Sequence, residues 1–284
     1  MDMDLIKWYH IVLNNLNLYL FHFLFDHMYY LLTSTHGDSF TAVLKEDGTV
    51  WTTGQNNVGQ LGDGTNVNKN EPVQVKIDEN TYLTNVRKIS VGAEWTTALT
   101  RDGKVYVWGL NDFGQLAQGD TTNLFYAKQV KIDENTYIEN AIDISSGNIH
   151  IMVVTNDGKV YVAGHNKYYQ NLSTGREEVV TYLKDTKLTN VIKVDAGYNN
   201  GSAMLSNGKT LSWGQNYFGA LETQVDPTLQ YVITEDAVDI KLNGYYTIIQ
   251  KENGEIYVTG KNVLGQLGLG DNSNRNILTK IELP

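Results

Sequence analysis

The chain consists of short runs in which apolar and polar residues alternate, and glycines separate these runs. One stretch shows the pattern well, with runs at 86–91, 96–100, 105–108 and 128–132. Alternation with a period of two, in β-branched and aromatic residues, is typical of half-buried strands. Asp102 and Gly103 stand between the second and third runs, and this dipeptide favours a tight hairpin because glycine readily adopts positive φ. The stretch therefore predicts four short antiparallel strands.

The same pattern recurs along the chain at steps of 55, 55, 50 and 46 residues. Each unit has one glycine in the hairpin turn and another after the third strand. The turn glycines are Gly48, Gly103, Gly158, Gly208 and Gly254, and the second set is Gly54, Gly109, Gly164, Gly214 and Gly260. Repeats of this length are typical of stacked units that cannot bury their apolar faces alone. The predicted fold is all-β, a propeller of about five four-stranded antiparallel blades over residues 35–284.

The first 34 residues do not carry the repeat, and we treat 1–34 as a separate N-terminal segment. Residues 5–32 are apolar and aromatic, which is compatible with a short helix. A membrane-spanning helix needs about 20 nearly uninterrupted apolar residues, whereas Asn14, Asn15 and Asp26 interrupt this segment. Three interpretations stay open: a membrane-associated anchor, an atypical secretion signal, and a start that replaces an upstream repeat. The position at which the repeat begins favours the third.

The charge balance and the cysteine count exclude or disfavour several classes of function for this chain. The chain has 284 residues with 22 Lys+Arg against 32 Asp+Glu, a formal net charge of −10. Nucleic-acid binding is disfavoured, because phosphate contacts call for a basic patch and no Lys/Arg cluster occurs. The absence of cysteine excludes disulfides, thiolate metal sites and cysteine nucleophiles. It leaves the cellular compartment undecided.

No motif for catalysis, a cofactor or a metal stands out. The Asp-containing loops at 62–65, 119–121 and 270–273 lack the closing Glu and alternating oxygen ligands of a calcium loop, and we interpret them as Asx turns. His150 and His165 stand alone within their repeats, without a second ligand at zinc-site spacing. Neither a nucleophile elbow nor a phosphate loop is present. We predict that the protein is not an enzyme and holds neither a cofactor nor a metal.

Residues 92–116 resemble the regulator-of-chromosome-condensation repeat. The matching positions are Gly92, Ala98, Leu99, Asp102, Gly103, Val105, Tyr106, Trp108, Gly109, Asn111, Gly114, Gln115 and Leu116. The resemblance extends over five units at about residues 35–284 and implies a β-propeller. Known propellers of that family have seven blades, whereas this chain has five units. The alternatives are a small closed ring and an incomplete arc or fragment of a longer propeller. We favour the arc or fragment, because the first unit lacks a clear first strand before Gly37.

Loop placement in such a blade gives two candidate interaction faces. The fourth-to-first and second-to-third connections share one face, and the first-to-second connections lie on the other. Candidate partner-binding acids on the first face are Asp78, Glu79, Asp133 and Glu134, alongside the turn acids Glu46, Asp47, Asp102, Asp157 and Glu252. Candidate aromatic anchors on the second face are Trp95, Tyr198, Tyr245 and Tyr246. Periodicity leaves open whether these aromatic side chains point outward.

The leading functional prediction is a non-catalytic protein-interaction scaffold whose acidic face attracts a basic partner surface, mainly by raising the association rate. The resemblance implies an alternative, a guanine-nucleotide exchange factor for a small GTPase. A further alternative is an envelope-displayed or secreted adhesive module, which becomes attractive if residues 5–32 insert into a membrane. No nucleic-acid partner is predicted, and localisation stays open between the cytoplasm and the cell envelope or exterior.

Overall fold

Twenty β-strands form five separate four-stranded antiparallel sheets. The computed structural model describes residues 31–172, 178–216, 219–220 and 231–282, and no helix occurs among them. The predictions for residues 1–30, including the helical or membrane-associated segment, lie outside the described residues. Within the described part, the prediction of an all-β fold with five four-stranded blades is confirmed.

Each sheet is built from four consecutive strands and is called one blade, numbered along the chain. Blade 1 contains β1 (Leu31–His36), β2 (Phe40–Lys45), β3 (Val50–Gly54) and β4 (Lys69–Gln74). Blade 2 contains β5 (Val86–Val91), β6 (Trp95–Thr100), β7 (Val105–Gly109) and β8 (Leu124–Gln129). Blade 3 contains β9 (Ala141–Ser146), β10 (His150–Thr155), β11 (Val160–His165) and β12 (Val179–Asp185). Blade 4 contains β13 (Val191–Ala196), β14 (Asn200–Leu205), β15 (Thr210–Gly214) and β16 (Tyr231–Thr234), and blade 5 contains β17 (Ala237–Leu242), β18 (Tyr246–Lys251), β19 (Ile256–Gly260) and β20 (Arg275–Lys280).

The first blade begins earlier than its residue pattern indicates. Strand β1 starts at Leu31 and pairs with β2, so residues 31–34 belong to the blade and not to the N-terminal segment that was predicted to end at residue 34. The backbone pairing of β1 uses only main-chain groups, which polar residues provide as well as apolar ones. A strand with weak apolar alternation is therefore easy to miss.

The fourth strand of blade 2 also differs from its prediction. It spans Leu124–Gln129, several residues before the predicted 128–132. The residues after Gln129, which suggested the later position, lie in the connection that follows β8. Val130 donates its N–H to the Val105 carbonyl at 3.0 Å, and Lys131 pairs with Tyr137 in a small hairpin that leads to the next blade.

Glycines permit neighbouring blades to approach closely at the hairpin turns. All ten glycines of the two predicted sets have positive φ, between 76° and 115°. At Gly103, an added Cβ would lie 2.9 Å from the Cα of Asn140 in the next blade, and its carbonyl accepts the N–H of Ala141 at 2.9 Å. The same backbone hydrogen bond, from the first residue of the next blade to the carbonyl of the turn glycine, occurs at the other described junctions. The pairs are Val86 N–H to Gly48 (3.0 Å), Val191 N–H to Gly158 (3.1 Å) and Ala237 N–H to Gly208 (3.0 Å). The turn glycine is therefore both a hairpin residue and a contact between blades.

Buried tryptophans fill the wedge between blades. Trp108 is completely buried, and its indole N–H donates to the carbonyl of Gln60 in blade 1 at 3.0 Å. Trp213 makes the equivalent bond to the carbonyl of Gln170 in blade 3 at 2.8 Å. Large rings with one polar tip suit this position, because they fill volume and satisfy a buried acceptor together.

Among the described residues, no following blade packs against blade 5. No described atom lies within 4 Å of an added Cβ at Gly254, Gly268 or Gly270. Leu264 is 86% exposed, although it stands where Phe113 of blade 2 packs against His165 of the next blade. The described residues therefore correspond to the open arc and not to a closed ring of five.

Replacing Trp108 with Phe tests the blade junction. We expect Trp108→Phe to lower the free energy of unfolding by about 2–3 kcal/mol, because it leaves the Gln60 carbonyl unpaired and opens a small cavity. The measurement is urea unfolding followed by circular dichroism. Trp51→Phe is the control, since the Trp51 indole bonds to Thr49 of its own blade. An equal loss in both variants would contradict the junction role of Trp108.

Candidate partner-binding faces

The two ends of the blades form two different surfaces. One end carries the second-to-third turns and the connections between blades, including hairpin 1 (residues 76–82) and hairpin 2 (residues 131–137), which we call the acidic hairpins. The other end carries the first-to-second loops, residues 37–39, 92–94, 147–149, 197–199 and 243–245, which surround a central cavity and form what we call the axial face. This arrangement follows from the consecutive antiparallel strand order in every sheet.

The acidic hairpins hold their aspartates in the turn. In hairpin 1, Asp78 accepts the backbone N–H of Asn80 at 2.9 Å. In hairpin 2, Asp133 accepts the N–H groups of Asn135 and Thr136 at 3.0 and 2.9 Å. These backbone hydrogen bonds, led by those from Asn80 and Asn135, lower the pKa of both aspartates. Both side chains therefore stay ionised at neutral pH while they shape the turn.

Four carboxylates on the acidic hairpins are free of ion pairs. Asp78, Glu79, Asp133 and Glu134 are exposed, and no Lys or Arg nitrogen of the described residues lies within 4.0 Å of them. The acids of the neighbouring turns differ, since Asp47, Asp102 and Asp157 pair with Lys45, Lys104 and Lys159 at 3.3, 3.3 and 2.7 Å. Glu46 and Glu252 of the neighbouring turns are also exposed, without a Lys or Arg nitrogen of the described residues within 4.0 Å. The hairpins differ from these turns in that each one carries two adjacent acids without an ion pair.

An exposed tyrosine accompanies each acidic hairpin. Tyr82 and Tyr137 are 48% and 47% exposed, and the ammonium groups of Lys76 and Lys131 lie 5.6 and 5.8 Å from their ring centres. These lysines hold the rings at the base of each hairpin. Neither tyrosine was predicted as a partner-binding residue. The signal was available in the sequence Lys-Ile-Asp-Glu-Asn-Thr-Tyr, which occurs at both 76–82 and 131–137.

On the axial face, the loops of successive blades are linked to one another. Asp38 donates its backbone N–H to the carbonyl of Ala93 at 3.0 Å, and Asn148 does the same to Gly197 at 3.3 Å. The loops surround a cavity of about 330 Å³ to which all five blades contribute. The links fix the position of the loops, so the cavity wall is set by the stacking of the blades.

The candidate aromatic residues of this face fall into three groups. Trp95 is completely buried and donates its indole N–H to the Asn148 carbonyl at 2.9 Å, so it packs between blades and does not offer an exposed surface. Tyr198 and Tyr245 line the cavity, and their rings stack with centroids 6.1 Å apart at 21°. Tyr246 is half-buried at the start of β18. Only the stacked pair therefore borders the cavity.

His150 occupies the same loop position as Trp95 but stays unpaired. It is completely buried, and neither ring nitrogen has a hydrogen-bond partner among the described residues. Burial lowers the pKa of His150 to about 4, and the charge of His165 adds to this effect. A weak contact with the backbone of Asn200 opposes the shift without reaching standard hydrogen-bond geometry. His150 is therefore neutral in the fold and serves as packing.

The described residues were also compared with the requirements of a metal site and of a membrane-spanning helix. They contain no group of three or more His, Asp or Glu side chains arranged to hold a metal ion. They also contain no helix of sufficient length and apolar character to cross a membrane. The three Asp-containing loops form Asx turns, in which Asp63, Asp120 and Asp271 accept backbone N–H groups two residues onward at 2.9, 2.9 and 2.8 Å.

Comparison with known proteins relates this geometry to a family. The family model described as the RCC1-like domain matches residues 30–284. The ultraviolet-B receptor UVR8 of Arabidopsis thaliana is 28% identical over 254 residues, which are 87% of this chain and 56% of the receptor. An RCC1 repeat-containing protein of Dictyostelium discoideum is 28% identical over 238 residues, covering 76% of this chain and 47% of that protein. The chain thus spans about half the length of these relatives.

Solved structures show the same fold. Human WBSCR16 superposes with a TM-score of 0.78 at 20% identity, covering 89% of this chain and 67% of that one. Yeast RCC1 (Prp20), in its crystal structure with Kap60, superposes with a TM-score of 0.72 at 21% identity, covering 89% and 64%. At these identities the likeness extends to the blade architecture alone.

The depressed pKa of His150 predicts a pH-dependent stability. The unfolded chain binds a proton at the ordinary pKa of 6.5, whereas the folded state resists it until about 4, so stability is intact above 6.5 and falls as the pH drops toward 4. Between about pH 7 and pH 5 we expect this group to cost about 2 kcal/mol of unfolding free energy.

The variant His150→Asn isolates this effect, because Asn200 fills the same position in blade 4. Urea denaturation of both proteins across this pH range gives the difference directly. We expect the variant to lose less stability than the parent as the pH falls. Parallel pH profiles for the two proteins would rule out His150 as the source.

Proposed function

Because the chain belongs to the RCC1-like domain family, we propose that it is a non-catalytic protein-interaction scaffold whose acidic hairpins bind a partner with a basic surface. The observation that carries the proposal is the set of four exposed hairpin carboxylates without a basic neighbour within 4.0 Å. The charge of an acid that already pairs with a lysine of its own chain is largely cancelled, whereas an unpaired exposed acid attracts cations over about 8–10 Å at physiological salt.

The hairpins present their groups in duplicate. Each one carries two adjacent acids at its tip and a tyrosine at its base, on consecutive blades. Lys128 of blade 2 donates to the Ile77 carbonyl of hairpin 1 at 3.1 Å, which ties the first hairpin to the neighbouring blade. A partner with two basic clusters could contact both hairpins at once, which raises affinity through effective concentration.

A protein with the same fold, yeast RCC1 (Prp20), supports a protein-binding role. Yeast RCC1 (Prp20) forms a complex with Kap60, and Prp20p has been studied for its binding to Gsp1p and histones. These statements concern the yeast protein. They support a protein-binding role for this chain, and histones are an example of a basic partner.

Guanine-nucleotide exchange is the second candidate, and it is carried by the family resemblance alone. An assay of nucleotide release from a small GTPase distinguishes exchange activity from the scaffold role. An exchange factor accelerates the release, whereas a scaffold leaves its rate unchanged. The adhesive alternative depends on residues 5–32, which lie outside the described residues, and it stays a prediction.

Charge reversal tests the acidic hairpins. We expect Glu79→Lys combined with Glu134→Lys to lower the association rate with a polylysine peptide about tenfold at low salt, because electrostatic steering depends on these unpaired charges. Adding Asp78→Lys and Asp133→Lys should lower the rate further. The glutamates are changed first because the aspartates also shape the turns. The measurement is stopped-flow or surface-based association kinetics at low and high salt.

The control carries the same change in net charge away from the hairpins. Glu71→Lys combined with Asp112→Lys alters two exposed acids on β4 and on a loop at the opposite end. We expect this variant to show a smaller decrease that reflects net charge only. If both double variants slow association equally, the hairpins are not the binding face.

A further inference from the structure

The axial cavity is lined by chemically distinct residues. The lining includes the acidic residue Asp38 from blade 1 and the stacked tyrosines Tyr198 and Tyr245 from blades 4 and 5. Asn148 and Asn243 add amide groups to the wall. Asp38 is the only charged residue among the described residues that line the cavity. The cavity therefore combines one negative charge with an aromatic surface.

Basic side chains deeper along the axis are already neutralised. The inner strands β5, β13 and β17 carry Lys88, Lys193 and Lys241, and each contacts an aspartate of a neighbouring inner strand: Lys88 pairs with Asp143, Lys193 with Asp239, and Lys241 with Asp195 at 3.9 Å. No such pair is available to Asp38, since no Lys, Arg or His of the described residues lies within 4.0 Å of its carboxylate. Its charge is available to a ligand.

The two tyrosines differ in how much ring surface they offer. The ammonium of Lys261 lies 5.1 Å from the ring centre of Tyr245, so a cation already occupies the vicinity of that ring. Tyr198 is 47% exposed, and no described lysine or arginine is positioned over its ring. An incoming cation would therefore stack on Tyr198.

We propose that the axial cavity binds an arginine side chain presented by a protein partner. A guanidinium group is planar, so it can lie on the Tyr198 ring while its N–H groups form paired hydrogen bonds to the Asp38 carboxylate. A lysine ammonium can satisfy only one of these two geometries well. The cavity is open to solvent, and its volume of about 330 Å³ is large enough for one long side chain.

This site is independent of the acidic hairpins, because it lies at the opposite end of the blades. A partner could engage either face without the other. The two proposals also make separable predictions, since the residues involved do not overlap.

The test uses a short blocked peptide, acetyl-Gly-Ser-Arg-Ser-Gly-amide, titrated into the full chain and followed by NMR chemical shifts. Matched peptides replace arginine with lysine or with the uncharged isostere citrulline. We expect saturable binding of the arginine peptide, about fivefold weaker binding of the lysine peptide, and no saturation with citrulline. Raising the salt concentration should weaken the arginine peptide, because the Asp38 contact is exposed.

Variants of the chain assign the two contacts. We expect Asp38→Asn to weaken the arginine peptide about tenfold and Tyr198→Leu to weaken it about fivefold, with Asp38→Glu recovering part of the affinity. Asp112→Asn and Phe125→Leu are the matched controls, since both residues are exposed and lie outside the cavity and outside the acidic hairpins. Circular dichroism confirms that each variant is folded.

Several outcomes would overturn the proposal. They are absence of arginine-peptide binding, equal binding of the citrulline peptide, and unchanged affinity in Asp38→Asn. Displacement of the peptide by a neutral disaccharide at a comparable concentration would identify the cavity as a sugar site instead. Loss of binding in the double hairpin variant Glu79→Lys/Glu134→Lys would assign the peptide to the acidic hairpins.

Discussion

The inner strands of neighbouring blades belong to separate sheets, so their free N–H groups must be satisfied by something other than strand pairing. Side-chain oxygens of the preceding blade do this. Asp143 accepts the N–H of Val194 at 3.0 Å, and Asp195 accepts that of Leu242 at 2.6 Å. Ser90 and Ser145 accept the N–H groups of Ser146 and Ala196 at 2.9 and 3.0 Å. Blades 2, 3 and 4 therefore each supply acceptors to the inner strand of the following blade.

This constraint explains the charges along the axis. Position three of the inner strands reads Lys88, Asp143, Lys193 and Asp239 in blades 2 to 5, and ion pairs form between the first two and between the last two of these residues. Burial raises the pKa of Asp195, although the Lys241 charge and the Leu242 N–H oppose the shift. Aspartates that cap a backbone group and pair with a lysine are well suited to such a site, because each of their oxygens has a partner. These contacts between neighbouring inner strands connect the described blades along the axis.

The sequence made the blade architecture predictable because its signals are local. Asp-Gly turns and glycines at positive φ act within a few residues, so the hairpins and the number of blades followed from spacing alone. Boundaries that depend on tertiary contacts were not predictable in this way. Val130 looks like a strand residue but contacts Val105 across the blade, and β1 pairs without apolar alternation. The orientation of Trp95 and Tyr198 depends on the neighbouring blade, which periodicity does not describe. Aligning the repeats of this chain with one another shows the tyrosines of the acidic hairpins and the alternating charges of the inner strands. Neither feature is evident when each repeat is considered by itself.

The amide hydrogen exchange of Val194 tests the central claim most directly, because this N–H has a side-chain acceptor from another blade and no strand partner in its own sheet at that atom. We expect Val194 to be protected in the native protein to a degree comparable with paired amides of β14. In Asp143→Ala its protection should fall while the amides of β14 keep theirs. Rapid exchange of Val194 in the unaltered protein, or undiminished protection in the variant, would contradict the account that side chains of one blade supply acceptors to the next.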